Sequence, residues 1–195
     1  MTIRDQWIKV TEKIDYYIPP IPSIFSKDIK DTQEYAEIAR YYGQRIAARH
    51  NVPLIDHIDQ GLRVMESRNS SMDAQKAFCL HPLFQDDNNL ELSYKLSNKY
   101  SPRVVLLVME YRNVANRYLR SNMYKTWFPN NSEYGIKLSP IEEVNDMLFA
   151  DKIQNRYSFI KYHKGTHEHS EMLDDYFTFW LRACGYTPEE ADYIL

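Results

Sequence analysis

Three short stretches of this chain place metal-type ligands beside apolar helical patterns. They are His57 in "LIDHI", His81 in "CLHPLFQDD" and Asp151 in "FADKIQN". Hydrophobic residues flank each of them, so each side chain is expected to be partly buried. A buried carboxylate needs a cation or several hydrogen bonds. Imidazole nitrogens together with a carboxylate oxygen suit Mn, Fe or Zn. Taken singly, a histidine beside an apolar helix is more often a hydrogen-bonded core residue than a ligand. Asp151 followed by Lys152 also reads as an ordinary ion pair.

The second stretch carries a further oddity. In "AFCLHPLFQDD" an apolar run meets His81 and Pro82, and Gln85, Asp86 and Asp87 follow within about a turn. Proline in a helix interior costs ~3 kcal/mol. Pro82 is therefore expected to mark a helix end or a kink, which would swing Asp86 and Asp87 to new directions.

The elements that must position these residues read as helices. Glycine is scarce at 5 of 195 residues, and long side chains dominate. Apolar spacing predicts a helix over about Asp31–Arg49, with Tyr35, Ala36, Ala39, Tyr42, Ile46 and Ala47 near one face. Pro53 breaks the pattern. Asp56 is expected to cap a helix over His57–Ser67. Helices over Asp73–Leu83 and Leu90–Lys99 follow. Ser101 with Pro102, and Ser139 with Pro140 and Glu142, are two start signals, the second a capping box. A helix over His169–Cys184 stops at Gly185, and Thr187, Pro188 and Glu190 repeat the capping arrangement. No strand alternation and no internal repeat is evident. The expectation is an all-α, compact multi-helix bundle over residues 31–195. Residues 1–30 are expected to form an extension, with a short helix and then a Pro-rich strap, "YYIPPIPSIF".

Composition narrows the function classes. Hydrophobic residues make up 44% and charged residues 26%, with a formal net charge of -3. The chain reads as globular, with no charge excess that would suit duplex nucleic acid. "VVLLVM" is far short of the ~20 residues a membrane span needs. The charged first segment does not resemble a signal peptide. Cys79 and Cys184 sit in apolar helical patterns and read as free buried thiols, so a cytoplasmic setting is expected.

In order along the chain, several motifs resemble the stand-alone HD-type hydrolases of the RelA/SpoT family, the small alarmone hydrolases. "YAEIARYYGQRIAARHNVPLIDHI" is similar to that family's opening helix, Gln-containing turn and Pro-Tyr-Ile-x-His-Pro segment. "AFCLHPLFQDD" resembles its Ala-Ala-Leu-Leu-His-Asp-x-x-Glu-Asp, and "ADKIQN" its Ala-Asp-Arg/Lys-Leu-x-Asn. The helix "RVVLLVMEYRNV" lies between them, and "MLDDYFTFW" resembles the aromatic pair that follows. The resemblance implies an HD-domain-like helical bundle. It implies a Mn2+ ion, or another divalent transition metal, on His57, His81 and Asp151. Gln85 and Asp86 fall where the family's Glu-Asp pair works on the attacking water. Asn155 falls on its asparagine after the distal Asp, and Tyr176 and Phe177 near its nucleoside-contacting aromatics. Arg45 and Lys152 are expected near phosphate, with Arg49 one helical turn from Arg45.

Two departures fall where hydrolysis should happen. Pro82 occupies the aspartate of the His-Asp pair and offers no ligand. Gln85 replaces a glutamate and can hold a water but cannot take its proton. The leading expectation is a metal-dependent phosphohydrolase-like protein acting on, or binding, a phosphorylated nucleotide such as an alarmone, with Asp86 as base or orienter. The alternative is a catalytically inactive HD module that captures a nucleotide or a protein. Asp86 or Asp87 is a candidate replacement ligand. Two further groups are left open. "KYHKGTHEH", with His163, His167 and His169, reads as a solvated loop. Arg112, Asn113, Asn116 and Arg117 either line a pocket or pair with carboxylates.

Overall fold

The computed structural model describes residues 28–47, 51–119 and 136–194, and among these residues the chain is an all-α bundle without strands. Among the described residues, two 3-10 turns, Ile29–Asp31 and Asp87–Asn89, accompany eight α-helices. The helices are α1 (Gln33–Tyr42), α2 (Ile55–Ser67), α3 (Met72–Gln85), α4 (Leu90–Ser97), α5 (Pro102–Leu119), α6 (Glu142–Tyr162), α7 (Ser170–Ala183) and α8 (Pro188–Ala191). The expected strap, Arg49 and the loop "WFPNNSEYG" lie outside the described residues. No helix among the described residues is long and apolar enough to cross a membrane.

Helix α3 is the axis of the bundle. Nine of its residues are buried, from Ala74 round to Phe84. A helix that is apolar on every side must be enclosed by neighbours. It packs most extensively on α5 and also meets α1, α2, α4 and α6. Helix α6 is buried along most of its length and packs chiefly on α2. His57 on α2, His81 on α3 and Asp151 on α6 thus sit on three mutually packed helices.

Several boundaries differ from the sequence expectation, each for a local reason. Helix α1 stops at Tyr42 because Gly43 takes φ +54°, and an isolated bridge between Ile46 and Pro53 then turns the chain back. Arg45 is therefore not on a helix. Helix α2 begins at Ile55, so Asp56 lies in its first turn and caps nothing. Pro82 neither ends nor breaks α3, which continues to Gln85. Helix α6 starts at Glu142 rather than Pro140. Ser139 and Asn145 clasp each other instead: Ser139 N donates to Asn145 Oδ1 (2.9 Å) and Asn145 Nδ2 to Ser139 O (3.0 Å). The Ser101 cap on Val104 N and the Thr187–Glu190 capping box form as expected. Both cysteines are free thiols, Cys79 buried and Cys184 partly so.

One close approach fixes the distance between α2 and α3. Gly61 lies one turn after His57, and a Cβ there would collide with the ring of Phe78. That ring stacks on His57 at 6.1 Å and tilts against His81 at 4.7 Å. Gly61→Ala raises intrinsic helix preference by about 1 kcal/mol, yet it should lower stability by ~1–3 kcal/mol through overpacking. Urea melts of the two proteins test this; an unchanged or higher midpoint for Gly61→Ala would contradict it.

Candidate metal centre

His57, His81 and Asp151 converge. The His57 and His81 Nε2 atoms lie 3.1 Å apart. Asp151 Oδ1 is 3.5 Å from the first and 3.9 Å from the second. A circle through three points so spaced has a radius of about 2 Å, the length of a metal–nitrogen or metal–oxygen bond. Among the described residues this is the one group of three or more ligand-type side chains that could hold a metal ion. The histidines at 163, 167 and 169 form no such group.

The donor chemistry fits a cation as well as the spacing does. His81 Nδ1 lies 2.6 Å from the carbonyl oxygen of Phe78. A carbonyl only accepts, so Nδ1 carries the proton and Nε2 presents a lone pair. His57 Nδ1 is hydrogen-bonded to Gln154 Oε1, and the Gln154 amide nitrogen donates to Ser158 Oγ at 3.0 Å. With the amide so oriented, His57 Nε2 is also a lone pair. Two lone pairs and a carboxylate oxygen then face one point with no hydrogen among them, an arrangement that calls for a positive charge there.

Asp151 is held by two donors. Lys152 Nζ donates to Oδ2 (2.6 Å) and Asn155 Nδ2 to Oδ1 (2.7 Å). Burial alone would raise the Asp151 carboxyl, but Lys152 and the two imidazoles outweigh it and hold it well below the usual carboxylate range. Burial alone would lower the Lys152 ammonium, but Asp151 outweighs that too and keeps it above its ordinary range. Burial, reinforced by His57, pushes the His81 imidazole down to about 3. Tyr111 completes the wall, its ring 5.0 Å from His81. Its hydroxyl is buried beside Asp151. Burial pushes that hydroxyl well above its ordinary range, and Asp151 adds to the effect.

A cavity of about 360 Å³ opens over the three ligand-type residues. His57, His81, Pro82, Gln85, Asp151 and Asn155 all line it. Other expected site residues do not. Asp86 is exposed and caps the following 3-10 turn, accepting from Asn88 N. Asp87 pairs with Arg112. Arg45 turns back onto the carbonyls of Tyr41 and Tyr42 at the end of α1. Lys152 points into the core over Trp180 (5.1 Å) and Tyr176 (5.8 Å), and Tyr176 is buried there with it. Arg112 and Asn116 bind the last carbonyls of α3, with Asn116 Nδ2 3.0 Å from Gln85 O, and so hold Gln85 at the cavity. Sequence reasoning missed Asp56, Gln60 and Gln154. In the sequence Asp56 has the look of a helix cap, and Gln154 shares the Asp151 motif, three residues on. Among the described residues no lysine or arginine lines the cavity. No family model matches the chain, and no curated protein or solved structure matches it either.

The depressed His81 carries a pH consequence. An unfolded histidine takes its proton near pH 6.5, whereas folded His81 does so at about 3. Between those values the unfolded chain binds a proton that the folded chain does not. The stability is therefore full above about pH 6.5 and is lost as pH falls toward 3. Metal-free protein should lose on the order of 2 kcal/mol from this group by pH 5. Melting at pH 7.5 and 5.0 tests it. The drop in Tm should shrink in His81→Gln, and an equal drop in both proteins would contradict the assignment.

Proposed function

We propose that this chain is an HD-type, metal-dependent phosphohydrolase-like protein that acts on or binds a phosphorylated nucleotide, alarmone-type compounds included. The observation that carries the reading is the convergence of His57 Nε2, His81 Nε2 and Asp151 Oδ1 beneath a cavity. Those three atoms would hold a divalent transition ion, for which Mn2+ is the candidate that the RelA/SpoT resemblance suggests. Bound there, such an ion supplies Lewis-acid polarisation of a phosphate oxygen and of water.

The chain's own residues supply the rest. Lys152 donates to Oδ2 from the core side and Asn155 to Oδ1 from the cavity lining, which fixes the Asp151 carboxylate at the site. Asp56 is the carboxylate of the cavity wall outside the ligand set. In this reading it takes the role of proton acceptor that the sequence suggested for Asp86. Gln85 and Gln60 offer amides that orient a water or a phosphate oxygen. Tyr42, Tyr157 and Tyr162 line the same cavity, and aromatic rings are common stacking partners of a base. Without a cationic side chain in the described lining, the charge of a phosphate would fall to an ion held by His57, His81 and Asp151.

A second reading is a binding module that does no chemistry. Pro82 in place of a ligand and Gln85 in place of a carboxylate favour it. Calorimetric titration with Mn2+ followed by a nucleotide panel separates the two. The panel includes monophosphates and a 3'-diphosphate, with phosphate or pyrophosphate release as readout. One ion should bind per chain. His57→Ala should weaken it at least 100-fold, about 2.7 kcal/mol, with the helical spectrum unchanged. Turnover that is lost in Asp56→Asn while Mn2+ affinity is retained supports the enzyme. Nucleotide binding without turnover supports the module. Absence of Mn2+ binding overturns the metal-dependent reading, and absence of nucleotide binding as well overturns the nucleotide module.

A further inference from the structure

The place of Pro82 inside α3 has a chemical consequence for the residue before it. In an unbroken helix the N–H of residue 82 would donate to the carbonyl of residue 78, four positions earlier. Proline has no N–H, and its ring crowds that carbonyl and tilts it off the helix axis. The Phe78 carbonyl is therefore left without a backbone donor in the middle of the core. Its oxygen instead lies 2.6 Å from His81 Nδ1. His81 and Phe78 are both buried, and the helix runs on to Gln85 without a break. The same group that the proline orphans is thus the group that claims the His81 proton.

We propose that Pro82 is a positioning residue: by withholding a backbone N–H from the Phe78 carbonyl, it fixes His81 as the Nδ1–H tautomer and turns the Nε2 lone pair toward His57 and Asp151. The metal consequence rests on the function proposed above; the tautomer consequence does not. The proline is then not simply the loss of a ligand. It removes one side chain that could coordinate and, in the same step, orders the coordinating face of its neighbour. Restoring an N–H at position 82 gives the carbonyl its helical partner again and draws it back toward the axis. The His81 Nδ1–H then competes for that oxygen, and the Nε2–H form, which imidazole favours in water, becomes populated.

The test is nitrogen-15 NMR of the histidine rings in the metal-free protein at neutral pH, on wild type, Pro82→Ala and Pro82→Gly. Wild-type His81 should show protonated Nδ1 and bare Nε2. Both variants add the same N–H and should shift His81 toward the Nε2–H form. Pro82→Ala should also raise Tm, since alanine suits a helix interior, while Mn2+ affinity falls at least ten-fold. A purely structural role for the proline predicts no such opposition between stability and affinity. An Nε2–H His81 in the wild type overturns the proposal, as does an unchanged Nδ1–H signal in both variants. If the wild type binds no Mn2+, the metal reading fails, yet the ring signals still decide the role of Pro82. Pro82→Gly guards against an effect of alanine's helix preference alone, since a tautomer shift confined to Pro82→Ala also counts against the proposal.

Discussion

Three hydrogen-bond acceptors meet at one point in this bundle, and they repel one another unless a positive charge lies between them. The lone pairs of His57 and His81 face each other at 3.1 Å, with the Asp151 carboxylate beside them. Each is locked by a further partner: His57 by Gln154, His81 by the Phe78 carbonyl, and Asp151 by Lys152 and Asn155. Such outer partners set the tautomer and direction of metal-binding side chains. The locks lie on the same helices as the ligands, so the packing of α2, α3 and α6 sets the site geometry directly.

That packing depends on a few residues with little tolerance. Gly61 lets the Phe78 ring reach the backbone of α2, and the ring in turn walls both imidazoles. Asp151 and Lys152 form a fully buried ion pair. Removing one partner of such a pair typically costs ~3–5 kcal/mol, because a charge is left unpaired, whereas replacing both with apolar groups is often neutral. Lys152 is better understood as a stabiliser of the carboxylate than as a phosphate ligand. Its position over Trp180 and Tyr176 places it on the core side of α6.

The helices were legible in the sequence because apolar spacing is a local signal, whereas the grouping of His57, His81 and Asp151, far apart in the chain, was suggested only by the ordered motif resemblance. Apolar spacing gives the buried faces, and a polar ligand-type residue within such a face stands out. The caps at Ser101 and Thr187 follow from side-chain chemistry alone. What was not legible depends on direction. Lys152 and Asp151 are adjacent, yet the lysine ends in the core and the aspartate faces the cavity, which depends on α7 covering one side of α6. Asp86 and Arg45 looked available but are consumed by a turn and a helix end. Asp56 looked like a cap and became a cavity wall because α2 starts two residues earlier than expected. Pro82 looked like a helix terminator. It is accommodated because a side-chain donor replaces the missing backbone one, a compensation that no propensity scale includes.

The central claim is that these three side chains hold one divalent ion. X-ray absorption fine structure on the protein loaded with one equivalent of Mn2+ tests it most directly. Two imidazole nitrogens and a carboxylate oxygen are expected in the first shell, with the outer-shell scattering that imidazole rings produce. A shell of oxygen alone, without imidazole scattering, would contradict it.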